Sequence, residues 1–209
     1  MLIANTVLAI IKQGRASILL LSAMLVVSAC ATRIDNVHRV MLDDNIGYVL
    51  QPIPENLINT GIQALFSIKQ QGNEKQFLIQ VEMTQSQILI SAMTVEGLSL
   101  FNLDWHTQLG ILSYDKKIAI EPLRVLAELQ LVLWPVIDIT QGLEQAKIKI
   151  VTDNYREINS EDDLIYQIKQ QGSISYMTNV QQNYLLVIEE LERWQLLEEN
   201  SVSKEVVEN

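Results

Sequence analysis

Apolar and polar positions alternate along most of the chain after Gly61. Ile62, Ala64, Phe66 and Ile68 share one face of a strand, and Phe77, Ile79, Val81 and Met83 share one face of the next, because side chains two apart point the same way. Gln71-Gly72-Asn73 supplies the turn between them. Two further runs, Gln87 to Met93 and Leu98 to Trp105, are separated by Val95-Glu96-Gly97, and a fifth runs from Leu109 to Tyr114 before an Asp115-Lys116-Lys117 turn. Together they predict a meander of antiparallel strands.

The period then changes. Pro122 to Trp134 is predicted as a helix, with one proline in its first turn and Pro135 to stop it. Glu121, Arg124 and Glu128 gather along one side at the spacing of a surface ion-pair row. The rest of the helix is apolar over a very wide arc, so it is expected to be wrapped by other elements and not merely laid on a sheet. A short helical continuation is expected from Ile137 to Leu143. Strand-like runs return at Ala146 to Thr152, Tyr155 to Asn159, Leu164 to Lys169 and Ile174 to Asn179. The last run, Tyr184 to Trp194, fits helical spacing through Val187, Ile188 and Leu191, yet Leu186 and Ile188 continue a strand, and a closing strand is the reading adopted. Ile168-Lys169-Gln170-Gln171-Gly172 repeats Ile68-Lys69-Gln70-Gln71-Gly72 letter for letter, but the flanks differ after the glycine, which suits two hairpins sharing one turn better than a duplication.

The N-terminus has a different organisation. Lys12 and Arg15 precede an uncharged run from Ala16 to Val27, and small residues follow up to Cys30, the one cysteine of the chain. As a helix the run would span about 18 Å, well short of the roughly 30 Å hydrocarbon core that a membrane-spanning helix must cross. Val27-Ser28-Ala29-Cys30 resembles the lipobox of bacterial lipoprotein precursors. That resemblance implies cleavage between Ala29 and Cys30, diacylglycerol on the Cys30 thiol and an added N-acyl group such as palmitate. A thiol suits the alkylation because no other side chain at neutral pH is so soft a nucleophile. Ala31 stands where enterobacterial lipoproteins kept at the inner membrane carry Asp, so the family rule implies the lipoprotein export machinery and delivery to the outer membrane, with the domain facing the periplasm.

These readings divide the chain into a signal peptide at 1–29, an acylated N-terminus and tether at 30–54, one domain at 55–197 and a disordered acidic tail at 198–209. Asp43-Asp44-Asn45 and Pro52-Ile53-Pro54 interrupt any regular pattern in the tether, although Ile46, Tyr48 and Leu50 alternate like a short strand. Lys12 and Arg15 are lost with the signal and no acidic residue is, so the formal net charge moves from −10 to −12. Such a balance argues against nucleic acid and against a basic patch for anionic lipid heads. With its thiol acylated the mature chain has no disulfide and must be stable in an oxidising periplasm through packing alone.

Leu126-Ala127-Glu128-Leu129-Gln130-Leu131-Val132-Leu133-Trp134-Pro135, preceded by the strand pair from Gly97 to Asp115, resembles an uncharacterised family of proteobacterial lipoproteins. Glu128 stands where that family usually has Asp. Genes of the family commonly sit in aryl-polyene pigment clusters, among fatty-acid-like synthase genes. The family is in turn similar to LolA and LolB, the lipoprotein-localisation carrier and receptor. The resemblance implies an α+β fold in which a curved antiparallel sheet, a half-barrel, wraps around a largely apolar helix and leaves a cavity for acyl chains. Phe66, Ile79, Val81, Leu126, Leu129, Leu133 and Trp134 are then the expected cargo-lining residues, though for Trp134 core packing is the commoner role. The cargo would be an acylated or polyene lipid, held by a monomer with no cofactor and no metal. The alternative is a scaffold lipoprotein with a solid core.

No nucleophile elbow, phosphate-cradling glycine loop or His-Glu-x-x-His pair occurs, so no enzymatic activity is expected. His38 and His106 fall in the tether and in a turn, where solvated histidines are expected.

Overall fold

A computed structural model describes residues 38–117, 121–161 and 163–197. The signal, Ala29 and Cys30, and the acidic tail lie outside the described residues. Two runs of strands succeed each other along the chain. The first comprises β1 (Arg39–Asp43), β2 (Ile46–Val49), β3 (Thr60–Gln70), β4 (Asn73–Met83), β5 (Gln87–Thr94), β6 (Ser99–His106) and β7 (Gly110–Lys116). Two helices follow, α1 (Pro122–Leu133) and α2 (Val136–Gly142). The second run comprises β8 (Leu143–Glu144), β9 (Lys147–Thr152), β10 (Tyr155–Ser160), β11 (Asp163–Gln171), β12 (Ile174–Asn179) and β13 (Tyr184–Gln195).

Ten strands form one open antiparallel sheet in the order β7-β6-β5-β4-β3-β13-β12-β11-β10-β9. Each meander is laid down in sequence order, and the ambiguous last run is the strand that joins them, pairing with β3 over its whole length. It is a strand, as expected, and it lies at the centre of the sheet. The alternation seen in the sequence becomes continuous inner rows across the sheet: Phe77 opposes Phe66, which opposes Ile188, and Ile68 opposes Leu186, which opposes Met177 and then Ile168. β7 runs on through Asp115 and Lys116, which pair with Asn102 and Phe101, so the predicted turn there is strand. The two identical pentapeptides are different turns. Gln71 and Gly72 both take positive φ, as a type I′ turn requires, whereas after β11 only Gly172 does, and the turn residues shift by one to Gly172-Ser173.

Flat, the seven strand spacings from β6 to β10 would cover about 34 Å, whereas α1 is about 18 Å long and 10–12 Å wide. Nevertheless α1 lies against β6, and Arg156 of β10 and Tyr166 of β11 both hydrogen-bond to it. The sheet therefore curves about the helix. Residues Val125 to Val132 are buried without a break, which covers every face of α1. Glu128 and Gln130 are among them, so the enclosed helix is not wholly apolar.

The far side of α1 is closed by residues expected to be tether. β1, β2 and β8 form a second, three-stranded sheet, and Val40, Leu42, Ile46, Tyr48, Leu50 and Ile53 all join the core. The reason is the wide apolar arc of α1, which needs a cover that the large sheet does not provide. Gln130 fastens this cover: its Oε1 accepts from the Gln51 amide at 2.8 Å and the Tyr48 hydroxyl at 3.1 Å, and its Nε2 donates to the Gln51 carbonyl at 2.9 Å. Trp134 adds an indole bond to the Pro52 carbonyl at 2.7 Å. Gly142 permits α2 to close on the same segment, because a Cβ there would lie 2.5 Å from both the Tyr48 ring and the Val49 carbonyl. Among the described residues every buried apolar side chain lies between Val40 and Ile188 in one cluster, so the domain carries its whole core within itself.

Candidate functional site

The inner face of the central strands leaves space where the sequence places small residues. Ala64 stands between Ile62 and Phe66 on β3, Ser173 immediately precedes β12 and Ser175 is its second residue. Beside Ala64, Ser173 and Ser175 a narrow cleft of about 150 Å³ opens, floored by Ile62, Ala64, Phe66, Val81 and Ile188 and roofed by Leu129 and Leu133 of α1. Gln170, Glu190 and Arg193 form its polar rim. A second, wider cleft of about 300 Å³ lies further along the same seam, between Val125 and Glu128 of α1 and Phe66, Ile68, Phe77 and Leu186 of the strands. Phe66 is a wall of both, packed against Phe77 with ring centroids 5.6 Å apart. Only the wider cleft reaches the roughly 300 Å³ at which small-molecule sites begin.

Of the seven expected cargo-lining residues, the structure brings four to this seam: Phe66, Val81, Leu129 and Leu133. The other three are packed. Ile79 and Leu126 are fully buried among neighbours, and Trp134 is turned to the Pro52 carbonyl, away from either cleft. Strand and helix periodicity identifies the inward face, but not which inward positions face a gap.

Arg124 and Glu128 are not the surface row expected. Their side chains are 21% and 10% exposed, and the Arg124 Nε donates to Glu128 Oε1 at 2.7 Å. The remaining guanidinium nitrogens donate to the Met41 carbonyl at 2.7 Å, the Tyr166 hydroxyl at 2.6 Å and the Tyr184 hydroxyl at 3.3 Å. Tyr184 in turn donates to Glu128, and Tyr166 to the Leu42 carbonyl. Burial opposes the Arg124 charge, but Tyr166, Glu128 and Tyr184 outweigh it and hold its pKa above the usual value. Burial is also the main cause that pushes the Tyr184 phenol up to about 12, with Glu128 adding to it, and that raises Tyr166 further. Both phenols therefore stay neutral donors at any physiological pH. Glu121 behaves as expected, at the surface and paired with Lys116.

At the other end of α1 the chain places a second buried guanidinium. Arg156 donates to the carbonyls of Leu131, Val132 (2.8 Å) and Trp134 (3.4 Å), which a helix C-terminus leaves without partners. A cation is favoured there by the helix dipole, while burial brings its pKa down to about 10. Strand period puts Arg156 on the same face as Ile158, two residues on, but no local sequence signal marks the carbonyls of a helix end as its partners.

The histidines correct one further expectation. His38 is half-buried and not fully solvated: its ring packs edge-on against Trp105 at 5.5 Å, and its Nδ1 is buried. His106 is the last residue of β6 and not in the expected turn, but its Nδ1 accepts the amides of Gln108 and Leu109 in the turn that follows. Among the described residues no group of three His, Cys, Asp or Glu side chains is placed to hold a metal, and no helix is long and apolar enough to cross a membrane.

No curated protein matches the chain. One family description, protein of unknown function (DUF3261), matches residues 62–192, from the first inner residue of β3 to near the end of β13. The matched span takes in the wider cleft, all of the narrow one but Arg193, α1 and the Arg124–Glu128–Tyr184 cluster, and the chain belongs to that family.

Proposed function

We propose that this protein is a lipoprotein, anchored through acylated Cys30 in the outer membrane, whose periplasmic domain holds an acyl chain or a polyene lipid in the seam between α1 and the central strands. Its role is transport or assembly of a lipidic product at that membrane, without catalysis. The observation that carries the reading is the apolar seam itself, in which two clefts separated by one phenylalanine follow the line of α1 with polar side chains at their rims. A curved open sheet around an enclosed helix supports likening the domain to LolA and LolB. The aryl-polyene connection rests on the Leu-Gln-Leu-x-Leu-Trp-Pro resemblance at Leu129 to Pro135. A second reading, a scaffold lipoprotein with a solid core, is favoured by the close packing of Ile79, Leu126 and Trp134.

Diphenylhexatriene separates the two. It is an uncharged rod that fluoresces in apolar surroundings, so it probes the seam without regard to any head group. The chain from residue 31 onward, purified without its acyl groups, is expected to bind it saturably at one site. Fluorescence that rises only linearly with dye would leave the scaffold. The anchor has its own test. Cys30→Ser is expected to leave the precursor uncut and absent from the outer membrane, because a hydroxyl is not alkylated in place of the thiol. A variant still cut before residue 30 and still found in outer-membrane fractions would refute the lipobox.

A further inference from the structure

The wider cleft is apolar on its floor but ends on charged groups, and their hydrogen bonds decide what kind of head group they can receive. Arg124 has committed nearly all its donors: its Nε to Glu128, and its terminal nitrogens to the Met41 carbonyl and the Tyr166 and Tyr184 hydroxyls. The Tyr184 proton is given to Glu128 and the Tyr166 proton to the Leu42 carbonyl. What remains is acceptor capacity. Glu128 lines the cleft and is 8% exposed, and both of its recorded bonds fall on Oε1, leaving Oε2 without a hydrogen bond among the described residues. Glu121, paired with Lys116, stands at the exposed mouth of the same cleft.

We infer that the bound amphiphile carries an uncharged, hydrogen-bond-donating head, a hydroxyl such as that of an acylglycerol, which donates to Glu128 Oε2 while its chain follows Phe66 and Phe77 along the seam. The inference rests on the seam being an acyl-chain site. A free fatty acid is excluded from this role by its own charge. Its carboxylate would meet the nearly buried Glu128 carboxylate at the end of the cleft, with the Arg124 guanidinium already engaged. A hydroxyl satisfies the open acceptor and adds no charge.

Three ligands with the same sixteen-carbon chain test this on the unmutated domain at neutral pH, each displacing bound diphenylhexatriene below its micelle concentration. Monopalmitoylglycerol offers a neutral donor, methyl palmitate a neutral head with no donor, and palmitate a negative one. The glycerol ester is expected to displace the dye at about tenfold lower concentration than the methyl ester, the scale of one hydrogen bond to a charged group, and palmitate is expected to be the weakest. Glu128→Gln removes the charge, keeps an acceptor oxygen and leaves Arg124 without its counter-ion, so it should raise palmitate to at least the strength of the methyl ester. Equal displacement by the glycerol and methyl esters, or palmitate matching either on the unmutated domain, overturns the inference while the seam stands. Absence of saturable dye binding removes the seam and this inference with it.

Discussion

Arg124→Met is expected to destabilise the domain by roughly 3–5 kcal/mol, the cost of breaking a buried ion pair from one side. The methionine fills much of the volume, so the loss is electrostatic: Glu128 is left nearly buried with only the Tyr184 hydroxyl on it. An exposed pair at the same i,i+4 spacing would be worth at most about 1 kcal/mol. The double change Arg124→Met with Glu128→Leu should return most of the loss, because an apolar pair of similar size replaces a buried charge pair at little cost. Recovery stays incomplete, since the Met41 carbonyl and the Tyr166 hydroxyl still lose the guanidinium that bonds them. Urea unfolding at unchanged slope measures both variants against the unmutated domain. A single-variant loss below about 1 kcal/mol would mean that water screens the pair after all.

The same pair shows where reading the sequence stops. Glu121, Arg124 and Glu128 have the spacing of a surface row, and nothing within α1 distinguishes a solvated row from a buried one. The difference is made by Tyr166 and Tyr184, 42 and 60 residues away, which the curved sheet brings over the helix. Period alone was enough for the strands. Ile62, Ala64, Phe66 and Ile68 alternate, and they do face inward, because a strand half-buried on one side has no other way to satisfy them. The prolines at 122 and 135 bound α1 for equally local reasons, a missing amide donor and a fixed φ.

Order in residues 38–54 was partly legible. Ile46, Tyr48 and Leu50 carried the pattern of a strand, but the prolines beside them suggested a lead-in loop. What decides the matter is again non-local. A helix buried on every face demands two covers, and Gln130 of α1 and Trp134 just after it hold the Gln51-Pro52 backbone as the second one. The Leu-Gln-Leu-x-Leu-Trp-Pro run that carried the family resemblance thus has its polar members, Gln130 and the Trp134 indole, occupied in fastening the fold. Its leucines divide: Leu129 and Leu133 face the seam, and Leu131 is sealed in the core.

Leu129 is therefore the position at which the carrier and scaffold readings give opposite results. It is 2% exposed yet roofs the narrow cleft, opposite Ala64 and Ile188. Leu129→Ala should cost about 2–5 kcal/mol in either case, since the removed methyl groups leave a space the neighbours only partly fill. For a carrier that space adds to the cleft, so diphenylhexatriene binding should persist or tighten while the melt falls. Leu129→Glu should abolish dye binding, because a carboxylate without a partner is costly among apolar walls. The fold should survive this change, since the cleft opens to the Gln170 and Arg193 rim, where the carboxylate can reach water. For a solid core there is no such outlet: the glutamate variant would unfold, and the unmutated domain would never have bound the dye. We expect the carrier result, a glutamate variant that melts cooperatively and binds nothing beside an alanine variant that melts earlier and binds at least as well as the unmutated chain.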